Sequence, residues 1–416
     1  MGREVKAKEM AEWALGPLSV NASRGLGLSF GPPQGVRCGR KIAGRLHFSK
    51  AAGFVPARKA QNFAFRFSPI CLAFLMFNLS RRVRRWLPVT ALLVAAPSLL
   101  SAWGTWGHQR INRAAVLALP PALRTLFYNH IDFMVEESVI PDLRKYTIND
   151  RAEFPRHFID LEDYGPGPIS QLPQTSKEAY AKYDPAFLDK SGRLPWYIQD
   201  MMGKLTQAMK NGRKDDILFI AADLGHYLGD AVQPLHTSAN HDGQLTGQKG
   251  IHAFFESQLV EQFGSSYNFK VAQPKVIDPV AETWRILAQS HAAADTLLSI
   301  EKTLAAATPA AQVYAVDAQG QIKKNVFNSQ VHALPYATSY HTALKHMVER
   351  QLRTATQAAA DYWYTAWVNA GKPDLAKLDT EYTTRSNAKN LKTELKLIQK
   401  GKLVDFSSFP EFETLK

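Results

Sequence analysis

From residue 103 onward the apolar residues recur every three or four positions, and alternating runs of β-branched residues are scarce. That period buries one face of a helix and does not suit a half-buried strand. The stretch Trp196–Lys210 places Ile198, Met202, Leu205 and Met209 on one side, and Asn211-Gly212 is a stop signal. Asp215 is expected to cap the next helix, which runs to about Ala231 with Ile217, Ile220, Leu224, Leu228 and Ala231 as its apolar stripe. Phe254, Phe255, Leu259 and Phe263 belong to another helix. Val280–Ala307 and Tyr340–Asn369 read as two longer ones, the second ending at Ala370-Gly371-Lys372-Pro373. Gly165–Pro173 and Asn240–Gly250 are polar, Gly/Pro-rich loops. The expected fold class is all-α. A single multi-helix domain over residues 103–376 is long enough for a substantial core, and residues 377–416 are expected to form a peripheral tail.

The formal charge of +13 suggests a basic protein that seeks nucleic acid or membrane. Its location removes that suggestion. Residues 1–102 carry 16 Lys+Arg against 3 Asp+Glu, leaving 34 of each for residues 103–416. Cys38 and Cys71 also lie in the first part, so the rest can build neither a disulfide nor a thiolate metal site. At the junction, Arg81, Arg82, Arg84 and Arg85 precede an apolar run from Leu87 to Leu100, and Ser101-Ala102 offers a small residue for signal peptidase. The run is shorter than the roughly 20 apolar residues that span a bilayer. Residues 76–102, beginning at Met76, therefore read as a cleaved signal peptide. The mature chain is expected to be secreted or periplasmic, without a transmembrane segment. Residues 1–75 show no sustained apolar period and read as upstream sequence or a disordered extension that contributes nothing to the fold.

Eleven of the twelve histidines fall after residue 102, and their spacing carries the chemistry. His226 and Asp230 are four apart and share a helix face opposite the apolar stripe, with Asp223 beside it. His252 and Glu256 repeat the arrangement, and His236 lies between the two pairs. One such pair is usually a solvated surface pair. Two, with an imidazole and a Gly-rich loop between them, point to a metal site, and imidazole with carboxylate suits zinc. His241, beside Asn240 and Asp242, is expected to be solvent-exposed. Upstream, WGTWGH (103–108) begins directly after the expected cut. A free Trp103 amine and its own carbonyl can chelate a metal, and an amine of pKa about 7.7–8.0 is deprotonated readily enough. His108, Asp142 and His157 supply further donors, although each alone is more often a structural residue.

HYLGD (226–230), QPLHTSAN (233–240) and GIHAFFES (250–257) closely resemble the zinc-dependent phospholipase C family of bacteria. The N-terminal Trp-Gly-x-x-Gly-His is similar to that of the related fungal single-strand-specific nucleases. The resemblance implies an all-helical fold and a three-zinc site. Asp142, His157, His226 and Asp230 would hold the first ion, and His236, His252 and Glu256 the second. Trp103 and His108 would hold the third, with Asp230 bridging to the first. Asp142 would also be catalytic, orienting or deprotonating the attacking water. Arg144, Lys145 and Arg156 are candidates for a phosphate contact, weighed against an ordinary surface or ion-paired role. The implied activity is zinc-dependent hydrolysis of phosphate esters by a monomer. Glu256 in place of Asp and the short His236–His252 loop favour phospholipase-type cleavage. The N-terminal motif favours the alternative, a secreted nuclease acting on single-stranded nucleic acid. Trp196, Tyr197 and Trp284 are expected to pack helices rather than to stack on a base or meet a lipid. A second alternative is a zinc-binding protein without turnover. Against it, three protein ligands at the second ion leave room for water or substrate.

Overall fold

The computed structural model describes residues 103–325, 329–379 and 385–404. The expected signal peptide and the segment before it lie outside these residues. Helices α1 (Gly104–Ala118), α2 (Pro121–Asn129), α3 (Ile131–Glu136) and α4 (Ile140–Tyr146) follow one another, and short 3-10 turns carry the chain through the 150s and 160s. Helices α5 (Ser176–Lys182) and α6 (Pro185–Ser191) precede α7 (Leu194–Lys210) and α8 (Lys214–Val232). After a loop, α9 (Ile251–Ala253) passes through a π-helical turn, Phe254–Gln258, into α10 (Leu259–Phe263). Helices α11 (Pro279–Ala307), α12 (Leu334–Ala343), α13 (Met347–Asn369) and α14 (Arg385–Gln399) complete an all-α fold. Among the described residues, β-structure is limited to isolated bridges such as Tyr314 with His332.

Local chemistry sets most of the boundaries. Pro279 opens α11, where a missing amide costs nothing, and Asp278 Oδ1 accepts the amides of Val280 and Ala281 at 2.9 and 3.2 Å. Helix α7 stops at Asn211, and Gly212 takes the left-handed conformation, φ +64°, that glycine adopts without strain. Two expectations need correction. Asp215 does not cap α8: Arg213 holds that position without a side-chain bond, and Asp215 sits in the first turn, where its charge favours the helix dipole. Tyr340–Asn369 is not one helix. Lys345 and His346 are both left-handed, at φ 48° and 63°, and break it between α12 and α13.

Helix α8 lies at the centre, packed against α1, α7, α11 and α13. Every residue from Ala221 to Val232 is buried, so the side opposite its apolar stripe is inside the protein rather than in water. That side carries His226 and Asp230. Two glycines let α1 approach it closely. A Cβ on Gly225 would lie 2.0 Å from Asn112 Oδ1, and one on Gly229 would lie 2.9 Å from the His108 ring. Asn112 Nδ2 then donates to the Ala222 and Met134 carbonyls at 3.1 and 3.0 Å, joining α1, α3 and α8. The Trp103 indole donates to the Gly229 carbonyl at 2.6 Å and brings the start of α1 to the last turn of α8.

Helix α14 belongs to the stretch expected as a tail, yet it docks on α1 through a buried charge. Glu394, 1% exposed, takes both Arg113 Nε and Nη2 at 2.7 Å and the Tyr128 hydroxyl at 2.6 Å. Trp196 and Trp284 are buried, and their indoles donate to the carbonyls of Pro173 and Gln174. Both pack helices, as expected. Tyr197 is half-buried against Tyr227 and the Arg156 guanidinium. No helix among the described residues is long and apolar enough to cross a membrane.

Candidate metal centre

Helices α1, α4 and α8, the turn before His157 and the segment Ile251–Gln258 converge on one buried cluster. Its donors fall into three groups. Asp142, His157 and His226 form one, His108, His226 and Asp230 a second, and His236, His252 and Glu256 a third. Within each group the donor atoms all lie within 4.8 Å of one another. Asp230 is the hub. Its carboxylate lies 2.8 Å from His157 Nδ1, 3.3 Å from His226 Nε2, 3.5 Å from His108 Nε2 and 3.8 Å from His236 Nδ1. The His108 and His226 rings stack at 4.0 Å. The second half is tied together by Glu256, whose Oε2 meets His252 Nε2 at 3.0 Å and His236 Nε2 at 3.6 Å.

Backbone carbonyls orient three of the imidazoles. His226 Nδ1 donates to Ser138 O at 2.8 Å, His236 Nδ1 to His157 O at 2.7 Å and His252 Nδ1 to His241 O at 2.8 Å. Each bond holds the Nε2 lone pair toward the cluster. His157 is reversed: Nδ1 faces the cluster and Nε2 lies 3.3 Å from Glu153 Oε1. His241 is exposed, as expected, and contributes only its carbonyl.

Whether these residues suit a metal can be judged from their unmet bonding capacity. Buried polar side chains are nearly always hydrogen-bonded, so orphans call for an explanation. Here both nitrogens of His108, both oxygens of Asp142, Asp230 Oδ1 and His157 Nε2 lack a hydrogen bond within the protein. Four of these atoms do have ionic neighbours: Lys145 Nζ is 2.7 Å from Asp142 Oδ1, Glu153 Oε1 is 3.3 Å from His157 Nε2, and His108 Nε2 and Asp230 Oδ1 are 3.5 Å apart. Orphaned oxygens and imidazole nitrogens, all hard or borderline donors without thiolate, fit zinc.

The electrostatics agree. Burial alone would strip the proton from His226, but Asp230 and Asp142 outweigh it and raise its pKa to about 9. Burial likewise opposes protonation of His252, and Glu256 raises it to about 9. His108, buried and beside His226, falls to about 3 and is held neutral. Despite burial, Asp230 stays well below the usual carboxylate range through His226 and His236, and Glu256 is lowered through His252. Asp142 is lowered as well, with Lys145 the main partner working against its burial. Anionic carboxylates that draw protons onto neighbouring rings are a site built for cations.

Eight of the nine residues singled out in the sequence are thus found together, and Trp103 differs from them in kind. Its side chain is buried against Phe255, and its carbonyl accepts the Gly107 amide at 3.0 Å. The free amine depends on processing outside the described residues. Of the three candidate phosphate contacts, Arg144 is held by Asp223 and Glu137 and Arg156 by Glu153. Lys145 alone of the three lies on the cluster. Sequence reasoning missed Glu153 and Gln233. Gln233 is fully buried and donates to Glu256 Oε2 at 2.9 Å, aiming that carboxylate. Glu153 and His157 have the same four-residue spacing as the other pairs, a signal obscured by Pro155, which turns the segment into a 3-10 turn.

The family model for S1/P1 nuclease matches residues 103–361. Nuclease S1 of Aspergillus oryzae (strain ATCC 42149 / RIB 40) is 22% identical over 206 residues, covering 45% of this chain and 65% of that protein. The aligned part is therefore slightly under two thirds of the relative's length. These matches move the weight from the phospholipase-type reading, favoured by Glu256 and the short His236–His252 loop, to the nuclease alternative. With a match spanning well over half of its length, the chain belongs to the S1/P1 nuclease family.

Proposed function

We propose that this chain is an exported, zinc-dependent hydrolase of phosphodiester bonds in single-stranded nucleic acid. The observation that carries the reading is the convergence of three donor groups on Asp230 and Glu256, with orphaned carboxylate and imidazole atoms aimed at one another. Asp142, His157, His226 and Asp230 would hold one zinc, and His236, His252 and Glu256 a second. His108, with the amine and carbonyl of Trp103, would hold a third beside Asp230. When bound, zinc supplies charge neutralisation at the diester and makes water acidic near neutral pH.

The chain's own residues supply the rest. Asp142, ionised and fully buried, can take a proton from the attacking water, and Lys145 Nζ at 2.7 Å holds it in place. Of the three basic candidates Lys145 stands at the cluster, paired with Asp142, while Arg144 and Arg156 pair with Glu137, Glu153 and Asp223. The three carbonyl-bonded imidazoles cannot turn their lone pairs away without losing a hydrogen bond, so the donor set is preorganised. With 34 basic and 34 acidic residues after residue 102, net charge supplies no overall attraction for a polyanion, and the cluster is a local source of it when loaded.

The test uses the chain beginning at Trp103, with and without a chelator, on bis-p-nitrophenyl phosphate, single-stranded DNA and phosphatidylcholine. Chelator-sensitive cleavage of the first two is expected. Preferential cleavage of phosphatidylcholine would restore the phospholipase reading. A folded, zinc-loaded chain that hydrolyses none of them would leave a non-catalytic zinc protein.

A further inference from the structure

We propose that Glu153 is the positioning residue for His157, holding the proton on Nε2 so that Nδ1 is the donor facing the cluster. The inference rests on the zinc part of the reading above and not on its substrate. His226, His236 and His252 each have Nδ1 locked by a backbone carbonyl. His157 has no such carbonyl, because its cluster-facing nitrogen is Nδ1 itself, 2.8 Å from Asp230 Oδ2 and 3.1 Å from His226 Nε2. The group that meets its far nitrogen is a carboxylate, Glu153 Oε1, at 3.3 Å. That contact is long and off-line. The ring leans onto Asp230, as an imidazole does when a carboxylate rather than a cation lies in front of it.

Glu153 is built to stay anionic and fixed. It is fully buried. The Tyr227 hydroxyl donates to the same Oε1 that faces His157, Arg156 Nη1 donates to Oε2 at 2.9 Å, and Arg144 stands 3.8 Å away. Tyr227 follows His226 on α8, so one helix carries a donor of the cluster and the clamp on another donor's partner. Arg156 is bound to this carboxylate, while Arg144 beside it bonds Asp223 and Glu137. A carboxylate behind a metal-binding imidazole fixes its tautomer and raises its basicity, and losing such a partner typically weakens metal binding about 10–100-fold. Without Glu153 the far nitrogen loses its acceptor, which favours the other tautomer, in which Nδ1 carries a proton toward Asp230 and offers no lone pair.

The experiment compares wild type, Glu153→Ala and Glu153→Gln in zinc titrations against a competing chelator, and in ¹⁵N spectra of the histidine rings of the zinc-loaded proteins. Glu153→Ala should weaken one zinc by about 10–100-fold, leave the His236/His252/Glu256 ion unchanged, and shift the signal of the His157 Nε2–H as its acceptor is lost. Glu153→Gln keeps an acceptor oxygen and should retain the Nε2 proton with a smaller loss of affinity. If Glu153→Ala does not fold, Glu153→Gln carries the test, because an amide accepts more weakly than a carboxylate and zinc affinity must still fall. Unchanged affinity in the variant that folds, or an unmoved His157 Nε2–H signal in zinc-loaded Glu153→Ala, would overturn the proposal. Turnover is not the readout. A wild type that binds zinc but cleaves no diester would sink the functional reading and leave this one standing.

Discussion

Replacing Asp230 by Asn should change how many protons the protein gives up when it takes metal. In the metal-free fold His226 is raised from 6.5 to about 9 by Asp230 and Asp142, against a burial that pulls the other way. A shift of that size corresponds to roughly 3 kcal/mol favouring the protonated ring. Asn keeps the shape of Asp230 but removes the nearer charge, 3.3 Å from Nε2. Burial then dominates, and the His226 pKa should fall to or below its ordinary 6.5 and leave the ring largely neutral at pH 7.5. The sign follows from the raised pKa. The His226 proton stabilises the metal-free fold fully below pH 6.5, and that stability disappears as pH rises through about 9. Metal requires the neutral ring, so apparent affinity should climb with pH over the same window. At pH 7.5 wild type should release about two protons on loading, from His226 and His252, both raised to about 9. Asp230→Asn should release about one. It should also bind zinc more weakly at both groups that share Asp230. Calorimetry in buffers of different ionisation enthalpy counts these protons directly. Equal proton release from the two proteins would refute the electrostatic argument.

Three further outcomes test other links. Export should produce a chain that begins Trp-Gly-Thr-Trp, read by N-terminal sequencing. One extra residue ahead of Trp103 should cost about one zinc per molecule by converting the amine to an amide, so equal metal content would dismiss the amine as a ligand. Gly229→Ala sets a Cβ about 2.9 Å from the His108 ring. Overpacking of this kind costs about 1–3 kcal/mol, and thermal melts should show it together with reduced zinc at the His108 group. Glu394→Ala removes the carboxylate that pairs with Arg113, little more than one turn beyond His108 on α1, and with Tyr128 of α2. Denaturant unfolding should register a loss of about 3–5 kcal/mol while the folded fraction keeps its full zinc content, and a zinc loss in that fraction would show α14 to be coupled to the centre.

Much of this protein follows from local chemistry that a sequence displays. The 3.6-residue period of Ile198, Met202, Leu205 and Met209 is a property of neighbours, so α7 emerges close to where it is expected. The i, i+4 pairs His226/Asp230 and His252/Glu256 share a face in any helix, which is why the two halves of the centre are legible before any packing is known. Other features depend on distant parts of the chain. The polar face of α8 looks solvent-facing by its pattern, and only the approach of α1 across Gly225 and Gly229 encloses it. The break at Lys345 and His346 has no glycine or proline to announce it, since tertiary packing imposes those left-handed residues. Ring orientation is likewise non-local: Ser138, His157 and His241 act through carbonyls, which any residue type supplies, so no letter in the sequence marks them. Glu153 and Arg144 carry charges that a sequence leaves unpaired. Some of their partners are near in sequence, but Tyr227 and Asp223 come from α8 more than 70 residues away, and only the fold decides that Glu153 is clamped facing His157 while Arg144 turns to Asp223.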